Sequence, residues 1–260
     1  MFKADHSSRV KSLEDSFVMP VDFLASTDAV ILCGGLGTRL RTVVEDRPKA
    51  MALVQGRPFL EWMVNKLSQS GIRRIILCVG YLGHLIRNHF GDGNSFGLKI
   101  AYSEDTDLQG TAGALRQAYP LLKSDPVLVL NGDSWCEVNL SELLIWHHRS
   151  GGVGTLALVP MKEVGRYGHV IIGPDEQVER FEEKGKGKGA GWINAGLYAL
   201  SREFLLSIPI HGVLSLEHDV FPHWVDKGLY GFRLRNEFVD IGTPESYQEA
   251  NRIFCGETFL

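Results

Sequence analysis

Long uninterrupted hydrophobic runs are missing from this 260-residue chain, and with them any segment of the length needed to cross a bilayer. Residues 1–27 carry Asp5, Glu14 and Asp15 without a continuous apolar core, which does not fit a secretory leader. Cysteine is scarce. Cys33, Cys78, Cys136 and Cys255 are widely spaced with no CxxC pair, which excludes a disulfide framework or a zinc site and predicts a reduced, cytoplasmic setting. No excess of positive charge exists either. A net charge of −4 gives no global attraction to nucleic acid or to an anionic membrane, so neither is expected as a partner. Two familiar phosphate-binding spellings are absent as well. GxxxxGK[ST] occurs nowhere, and GxGxxG fails after the first strand because Leu40 holds the third glycine position. A looser GxGxxA match at Gly185, Gly187 and Ala190 follows Glu182-Glu183-Lys184 rather than opening a helix after a strand, so it is accidental.

What is present has the texture of an α/β protein. Asp28 to Cys33 is a continuous apolar run of the kind buried on both faces of a parallel sheet. Apolar residues at 59, 60, 63, 64 and 67 predict an amphipathic helix over Pro58–Ser70. Arg74–Val79, Leu98–Tyr102 and Val127–Leu130 read as further strands, with helices over 83–90 and 112–119. From about residue 151 strand-like pieces (153–159, 168–172, 178–181, 192–199) precede helices near 201–207, 217–226 and 244–253. The alternation predicts a Rossmann-like, three-layer α/β fold with a mostly parallel central sheet and a mixed α+β C-terminal half. We expect an N-terminal extension over 1–27, one domain over 28–253 and a tail over 254–260.

The chemistry-bearing clusters fall at strand ends, where open α/β sheets bind ligands. Gly34-Gly35-Leu36-Gly37-Thr38-Arg39-Leu40 follows the first strand. Its glycines let backbone N–H groups approach phosphate oxygens, Arg39 adds a guanidinium fork, and Lys49 in Pro48-Lys49 adds a second cation. A glycine cluster alone would be a plain turn; the long loop with two cations is more than that. Asn131-Gly132-Asp133 ends the fourth strand, and Val239-Asp240-Ile241-Gly242-Thr243-Pro244 repeats the pattern far downstream. Either aspartate alone would read as a helix cap, whereas two converging with phosphates suit Mg²⁺, which takes few protein oxygens.

The combination GGLGTRL, PK, GTAGAL, NGD, FEEK, NAG and DIGTPESY, in that order between residues 28 and 253, resembles the sugar-1-phosphate nucleotidyltransferases (pyrophosphorylases). FLEWMVNKL, NGDSW, RYGHV and FEEK are most similar to the D-glycero-α-D-manno-heptose 1-phosphate guanylyltransferases. The resemblance implies transfer of a nucleoside monophosphate from an NTP, GTP preferred, to a sugar 1-phosphate, releasing pyrophosphate with Mg²⁺ as cofactor. It implies that Gly34, Gly35, Gly37 and Thr38 hold the nucleotide, with Arg39 on the β/γ-phosphates and Lys49 between the α-phosphate and the incoming phosphate. Gly110 and Thr111 would lie near base and ribose, and Glu104 would accept hydrogen bonds from the base. Asp133 and Asp240 would hold the metal, while Gly168, Glu183, Lys184 and Asn194 would form the sugar-phosphate side, Glu183 on hydroxyls and Lys184 on phosphate.

Departures from the family pattern touch substrate identity rather than reaction class. Pro48-Lys49-Ala50-Met51 stands where PKPM or PKxL is common, and Asp107-Leu108-Gln109-Gly110-Thr111 replaces EPLGT. Mannose 1-phosphate guanylyl transfer and MurNAc or glucose 1-phosphate uridylyl transfer therefore stay open, as does a homo-oligomeric state. A catalytically silent nucleotide-sugar-binding regulator is the alternative of another class, and the intact Arg39, Lys49, Asp133, Lys184 and Asp240 argue against it. His147-His148 lies in a helical stretch, fails the HExxH spelling and reads as a solvated or capping pair; His218 and His223 do not share a helical face. Trp192 adjoins the expected sugar residues, and Lys184–Gly189 beyond its first lysine reads as a flexible glycine loop.

Overall fold

The first strand sets the layers. In β1 (Asp28–Leu32) alternate residues face opposite cores, Ala29 and Ile31 on one side and Val30 on the other, all three out of contact with solvent. The computed structural model describes residues 22–40, 43–105, 108–165, 167–182, 187–235 and 238–256. Ahead of β1, the short helix α1 (Phe23–Ser26) packs Phe23 and Leu24 against the same core as Ala29. A hairpin of β2 (Leu53–Val54) and β3 (Arg57–Pro58) leads into α2 (Phe59–Gln69), followed by β4 (Arg74–Val79), α3 (Gly83–Phe90) and β5 (Lys99–Glu104). Next come α4 (Gly110–Ala118), β6 (Val127–Asn131), β7 (Ser134–Cys136) and α5 (Leu140–Ser150), then β8 (Gly154–Met161), β9 (His169–Ile172) and β10 (Val178–Glu182). The chain closes with β11 (Gly191–Leu200), α6 (Arg202–Ser207), β12 (Leu229–Arg233), β13 (Phe238–Asp240) and α7 (Pro244–Ile253).

β5, β4, β1 and β6 pair in parallel, as their continuous apolar runs require, and β11 joins β6 antiparallel. β8 pairs β11 antiparallel and β12 parallel, and β9 and β10 complete a nine-stranded mixed sheet. Leu60, Met63, Val64 and Leu67 of α2, Ile86 of α3 and Leu143 and Leu144 of α5 bury into the face that carries Ala29. Ala112, Leu115 and Ala118 of α4 and Phe204 and Leu205 of α6 cover the face that carries Val30. The fold is thus helices on both sides of a mixed sheet whose central strands are mostly parallel.

Two deviations from the sequence expectations have clear physical causes. The helix expected over 217–226 is instead a π turn (Leu216–Val220) followed by a 3₁₀ turn (Phe221–Trp224). Pro222 lacks the N–H a regular helix needs there and its ring crowds the preceding turn. The expected tail boundary at 254 falls inside the core, because Phe254 is buried edge-on against Phe59, Trp62 and Trp135. Among the described residues no helix is long and apolar enough to cross a membrane.

Candidate active site

β11 changes partner midway. Its residues 192 and 193 pair with β9, residues 197 to 200 pair with β6, and the register against β8 shifts between Asn194 and Tyr198. Gly196 takes φ +71°, and its N–H donates to Asn194 Oδ1 at 2.9 Å, which fixes the bulge. The sheet therefore splits beyond the carboxyl end of β6, and two connected chambers open there, of about 310 and 560 Å³. Arg39, Lys49, Asn131, Asp133 and Gly242 line both and form the wall they share.

The smaller chamber is built on the loop after β1. Gly34, Gly35, Gly37, Thr38 and Arg39 line it on one side, and Gly110 and Thr111 of α4 on another. Gly37 is in the left-handed region at φ +59°, and a Cβ there would sit 2.8 Å from Lys49 Cβ. Only glycine lets the loop and the lysine stem pass so closely. Lys49 begins a 3₁₀ turn (Lys49–Met51), and its ammonium donates to Asp133 Oδ2 at 2.5 Å. Arg39 is exposed and forms no ion pair with another described residue.

The two aspartates meet through strand register. β7 and β13 form a separate antiparallel ribbon in which Ser134 is opposite Asp240, and Ile241 N–H donates to the Asp133 carbonyl at 2.9 Å. Asp240 is held by neutral donors: Gly242 N–H at 2.7 Å and Ser246 Oγ at 3.2 Å on Oδ1, and Tyr167 OH at 3.1 Å on Oδ2. Burial pushes the Asp133 carboxyl up, but the charge and hydrogen bond of Lys49, with help from Ser134, outweigh it and leave the group below the usual carboxylate range. A side chain at Gly242 would meet Asp240 Oδ1 and Lys49 Nζ, at 2.6 and 3.4 Å, so carboxylate and ammonium both crowd the space beside this one glycine.

Of the expected site residues, Arg39, Lys49, Asp133, Gly34, Gly35, Gly37, Thr38, Gly110 and Thr111 line the smaller chamber, and Asp240, Gly168 and Asn194 line the larger. Glu183 and Lys184 lie outside the described residues, as do residues 185 and 186 of the expected flexible loop. Glu104 is not brought in. Its carboxylate is exposed and held by Arg87, while its neighbour Asp105 lines the smaller chamber. Residues at the end of a strand alternate in direction, so a one-position error selects the wrong carboxylate. Asp105 Oδ1 is buried without a hydrogen-bond partner, and burial raises the group to about 6.

Trp192 lines neither chamber; it packs on the opposite core with the Arg233 guanidinium 5.3 Å from its ring centroid. His147 is not solvated but buried, with Nδ1 3.0 Å from Thr155 Oγ1. Tyr167, Asn131 and Glu217 line the chambers and were not named as site residues from the sequence, and His218, set aside there with His223, lines the larger. Asn131 and Tyr167 sit inside the NGD and RYGHV segments and could have been found there; Glu217 and His218 carry no comparable signal.

Known proteins were compared with the chain as a whole. The family model described as "Nucleotidyl transferase" matches residues 28–256. A D-glycero-alpha-D-manno-heptose 1-phosphate guanylyltransferase from Aneurinibacillus thermoaerophilus is 37% identical over 86% of this chain and 97% of its own length. A protein of the same name from Campylobacter jejuni is 35% identical over 84% of this chain and 96% of its own. A mannose-1-phosphate guanylyltransferase from Mycobacterium tuberculosis is 34% identical over 85% of this chain and 62% of its own. Among solved structures, HddC from Yersinia pseudotuberculosis complexed with GMP-PN superposes with a TM-score of 0.77 at 33% identity, over 88% of this chain and 99% of that one. A structure from Bacillus anthracis, at TM-score 0.81 and 21% identity, shows likeness of fold alone. Since the matched span takes in the β1 loop and both strand-end aspartates, the chain belongs to the nucleotidyl transferase family.

Proposed function

We propose that this protein transfers a guanylyl group from GTP to D-glycero-α-D-manno-heptose 1-phosphate and releases pyrophosphate, with Mg²⁺ as the metal. The observation that carries the reading is the shared wall: two chambers meet at Lys49 and Asp133. The smaller takes the nucleotide against the glycine loop and the larger takes the sugar phosphate, so the reacting groups come together beside one ammonium. The named activities of the heptose relatives supply the preferred substrates.

The residues fit a metal of that kind. Asp133 and Asp240 offer hard oxygens, Asp133 beside Lys49 and Asp240 held by neutral donors with no ion pair to another described residue. Among the described residues no set of three or more His, Cys, Asp or Glu side chains forms a metal cluster, which suits an ion that keeps water and phosphate oxygens as its other ligands. Bound there, Mg²⁺ would neutralise phosphate charge and align the α-phosphate.

This chain's own groups do the rest. The sugar phosphate is already ionised, so no general base is needed. One of its oxygens forms a bond to the α-phosphorus as the bond to the β-phosphate oxygen breaks, and pyrophosphate leaves with the electron pair. Lys49 offsets charge on the α-phosphate and on the incoming phosphate, and Arg39 steadies the departing pyrophosphate. Asp105 supplies a preference for guanine, whose adjacent ring and amino N–H groups match a carboxylate with an unpaired oxygen.

Pyrophosphate release with Mg²⁺, four NTPs crossed against heptose, mannose, glucose and MurNAc 1-phosphates, tests the reading. GTP with the heptose phosphate is the expected pair. GTP with mannose 1-phosphate would support the second reading, which the mannose relatives at 34% identity favour. Nucleotide binding without turnover across the grid would instead indicate a regulatory relative.

A further inference from the structure

The first turn of α4 is stitched to a strap that also reaches the larger chamber. Leu214 N–H donates to the Gln109 carbonyl at 2.8 Å, Ala112 N–H to the Leu214 carbonyl at 2.9 Å, and Leu216 N–H to Thr111 Oγ1 at 2.8 Å. The strap ends at Glu217, which lines the larger chamber and not the smaller. Its carboxylate is held by hydroxyls alone: Tyr198 OH at 3.1 Å on Oε1, and Ser215 Oγ at 2.9 Å and Thr111 Oγ1 at 3.3 Å on Oε2. Tyr198 is fully buried and in turn accepts a hydrogen bond from Asn194 Nδ2 at 2.7 Å.

This environment differs from that of the other carboxylates in the chamber. Asp133 faces Lys49, and Glu182 faces His169 and Arg180. Asp240, which the β7–β13 ribbon sets beside Asp133, is held by Gly242 N–H, Ser246 Oγ and Tyr167 OH. Glu217 has no cationic partner among the described residues. A carboxylate has about four acceptor positions, and three fixed hydroxyl donors leave one, on Oε1. A phosphate would be repelled there, whereas a neutral O–H donor would complete the set with a charge-assisted hydrogen bond. The hydroxyl clamp also removes the rotamer freedom that a glutamate would otherwise lose on binding.

We propose that Glu217 is a specificity-determining residue that accepts a hydrogen bond from a hydroxyl of the sugar. This rests on the transfer reaction proposed above, with the sugar phosphate in the larger chamber. Anchoring through Thr111 ties the position of this acceptor to the helix turn that lines the nucleotide chamber.

The test is steady-state pyrophosphate release by wild type and Glu217→Gln, varying each substrate separately. Loss of the charged acceptor should raise KM for the sugar 1-phosphate about 10-fold or more, with KM for the nucleotide within about 2-fold. A series of deoxy-sugar 1-phosphates supplies the second arm on the wild-type protein. One analogue should lose a similar factor, and Glu217→Gln should then cost nothing further with that analogue. Equal rises in both KM values with a lowered Tm would make Glu217 a strut and overturn the proposal. An unmoved sugar KM would overturn it too. If Glu217→Gln does not fold, a deoxy series in which every analogue behaves like the parent sugar overturns it on wild type alone. Wild-type silence with every sugar 1-phosphate would bring down the transfer reading and this inference with it, a result distinct from turnover that ignores Glu217.

Discussion

The two chambers are assembled in different ways. Around the smaller chamber, β1, β4 and β5 add to the sheet in chain order, and at the far, amino end of these strands Asp28 and Arg74 form an ion pair at 2.6 Å. Around the larger chamber the pairings are distant: Ser134 meets Asp240 across the β7–β13 ribbon, and β11 exchanges β9 for β6 within a few residues. Local assembly leaves its chemistry written in short motifs, while distant assembly leaves it to register. A one-residue slip in the ribbon would turn Asp240 to its other face. The wall that the two chambers share lies where the two modes of construction meet.

The largest effect should come from breaking that meeting point. Asp240→Asn keeps the size and most hydrogen-bond partners of the side chain but removes its charge. We expect kcat to fall about 10³-fold with nucleotide binding retained, because phosphoryl-type transfer draws much of its rate from charge stabilisation by the metal. Removing divalent metal with EDTA should take wild type to a similar floor. Turnover near wild type in Asp240→Asn would show that the ribbon does not build the metal site.

A glycine on the seam between the halves gives the next effect. Gly110 has φ +72°, and a Cβ there would lie 2.3 Å from the Leu214 carbonyl oxygen. Gly110→Ala should cost about 1–3 kcal/mol in urea unfolding, from backbone strain and the forced shift of the strap. Since that strap carries Glu217, KM should rise for both substrates. Gly35 is the control: nothing lies within 4 Å of its virtual Cβ, so Gly35→Ala should leave stability within about 0.5 kcal/mol. If it raises a KM, the nucleotide's should be the one.

These contrasts also explain what could be read in advance. Continuous apolar runs located β1 and β4, the i, i+3, i+4 stripe located α2, and the spelling after β1 located the glycine loop, because each depends on neighbours a few positions away. The NGD and DIGTPESY segments pointed to Asp133 and Asp240, but their pairing was supplied by resemblance and not by any local rule. Glu104 in place of Asp105 is an error of strand phase, where burial rather than spelling decides which carboxylate faces the cavity. Glu217 was invisible for a different reason. Its partners Thr111 and Tyr198 come from α4 and β11, and a residue with two of its three hydroxyl contacts from such separate segments has no sequence signature.

Asp105 sharpens the comparison from the nucleotide side. Burial lifts its carboxyl to about 6, so it is ionised at pH 7.5 and increasingly protonated as the pH falls through that value. A carboxylate that accepts hydrogen bonds from the base requires the ionised form. KM for GTP should therefore rise as the pH drops below about 6, while KM for the sugar phosphate, corrected for its own ionisation, should not follow it. Asp105→Asn should weaken GTP about 10-fold at pH 7.5, relax the preference among NTPs, and remove this limb of the profile. A persistent limb in the variant would assign it to another group.

The smallest effect on activity is expected at His147, on α5, where the imidazole faces Thr155 of β8 away from both chambers. Burial lowers its pKa to about 4, opposed by Asp125 and reinforced by His148, so the folded protein holds the ring neutral. The unfolded chain protonates the same ring near its ordinary value of about 6.5. Between these two values the unfolded state binds more protons, so stability falls as the pH is lowered from about 6.5 to about 4 and this contribution levels off below. Asp133 acts in the same direction but at lower pH, because its folded value is depressed beneath the normal carboxylate range. Melting curves across pH 4 to 7 should then show a slope that His147→Gln reduces, with kcat at pH 7.5 unchanged. A variant that melts with the wild-type slope would place the pH dependence elsewhere, and one that lost activity at pH 7.5 would show that the packing of β8 is felt at the sugar chamber.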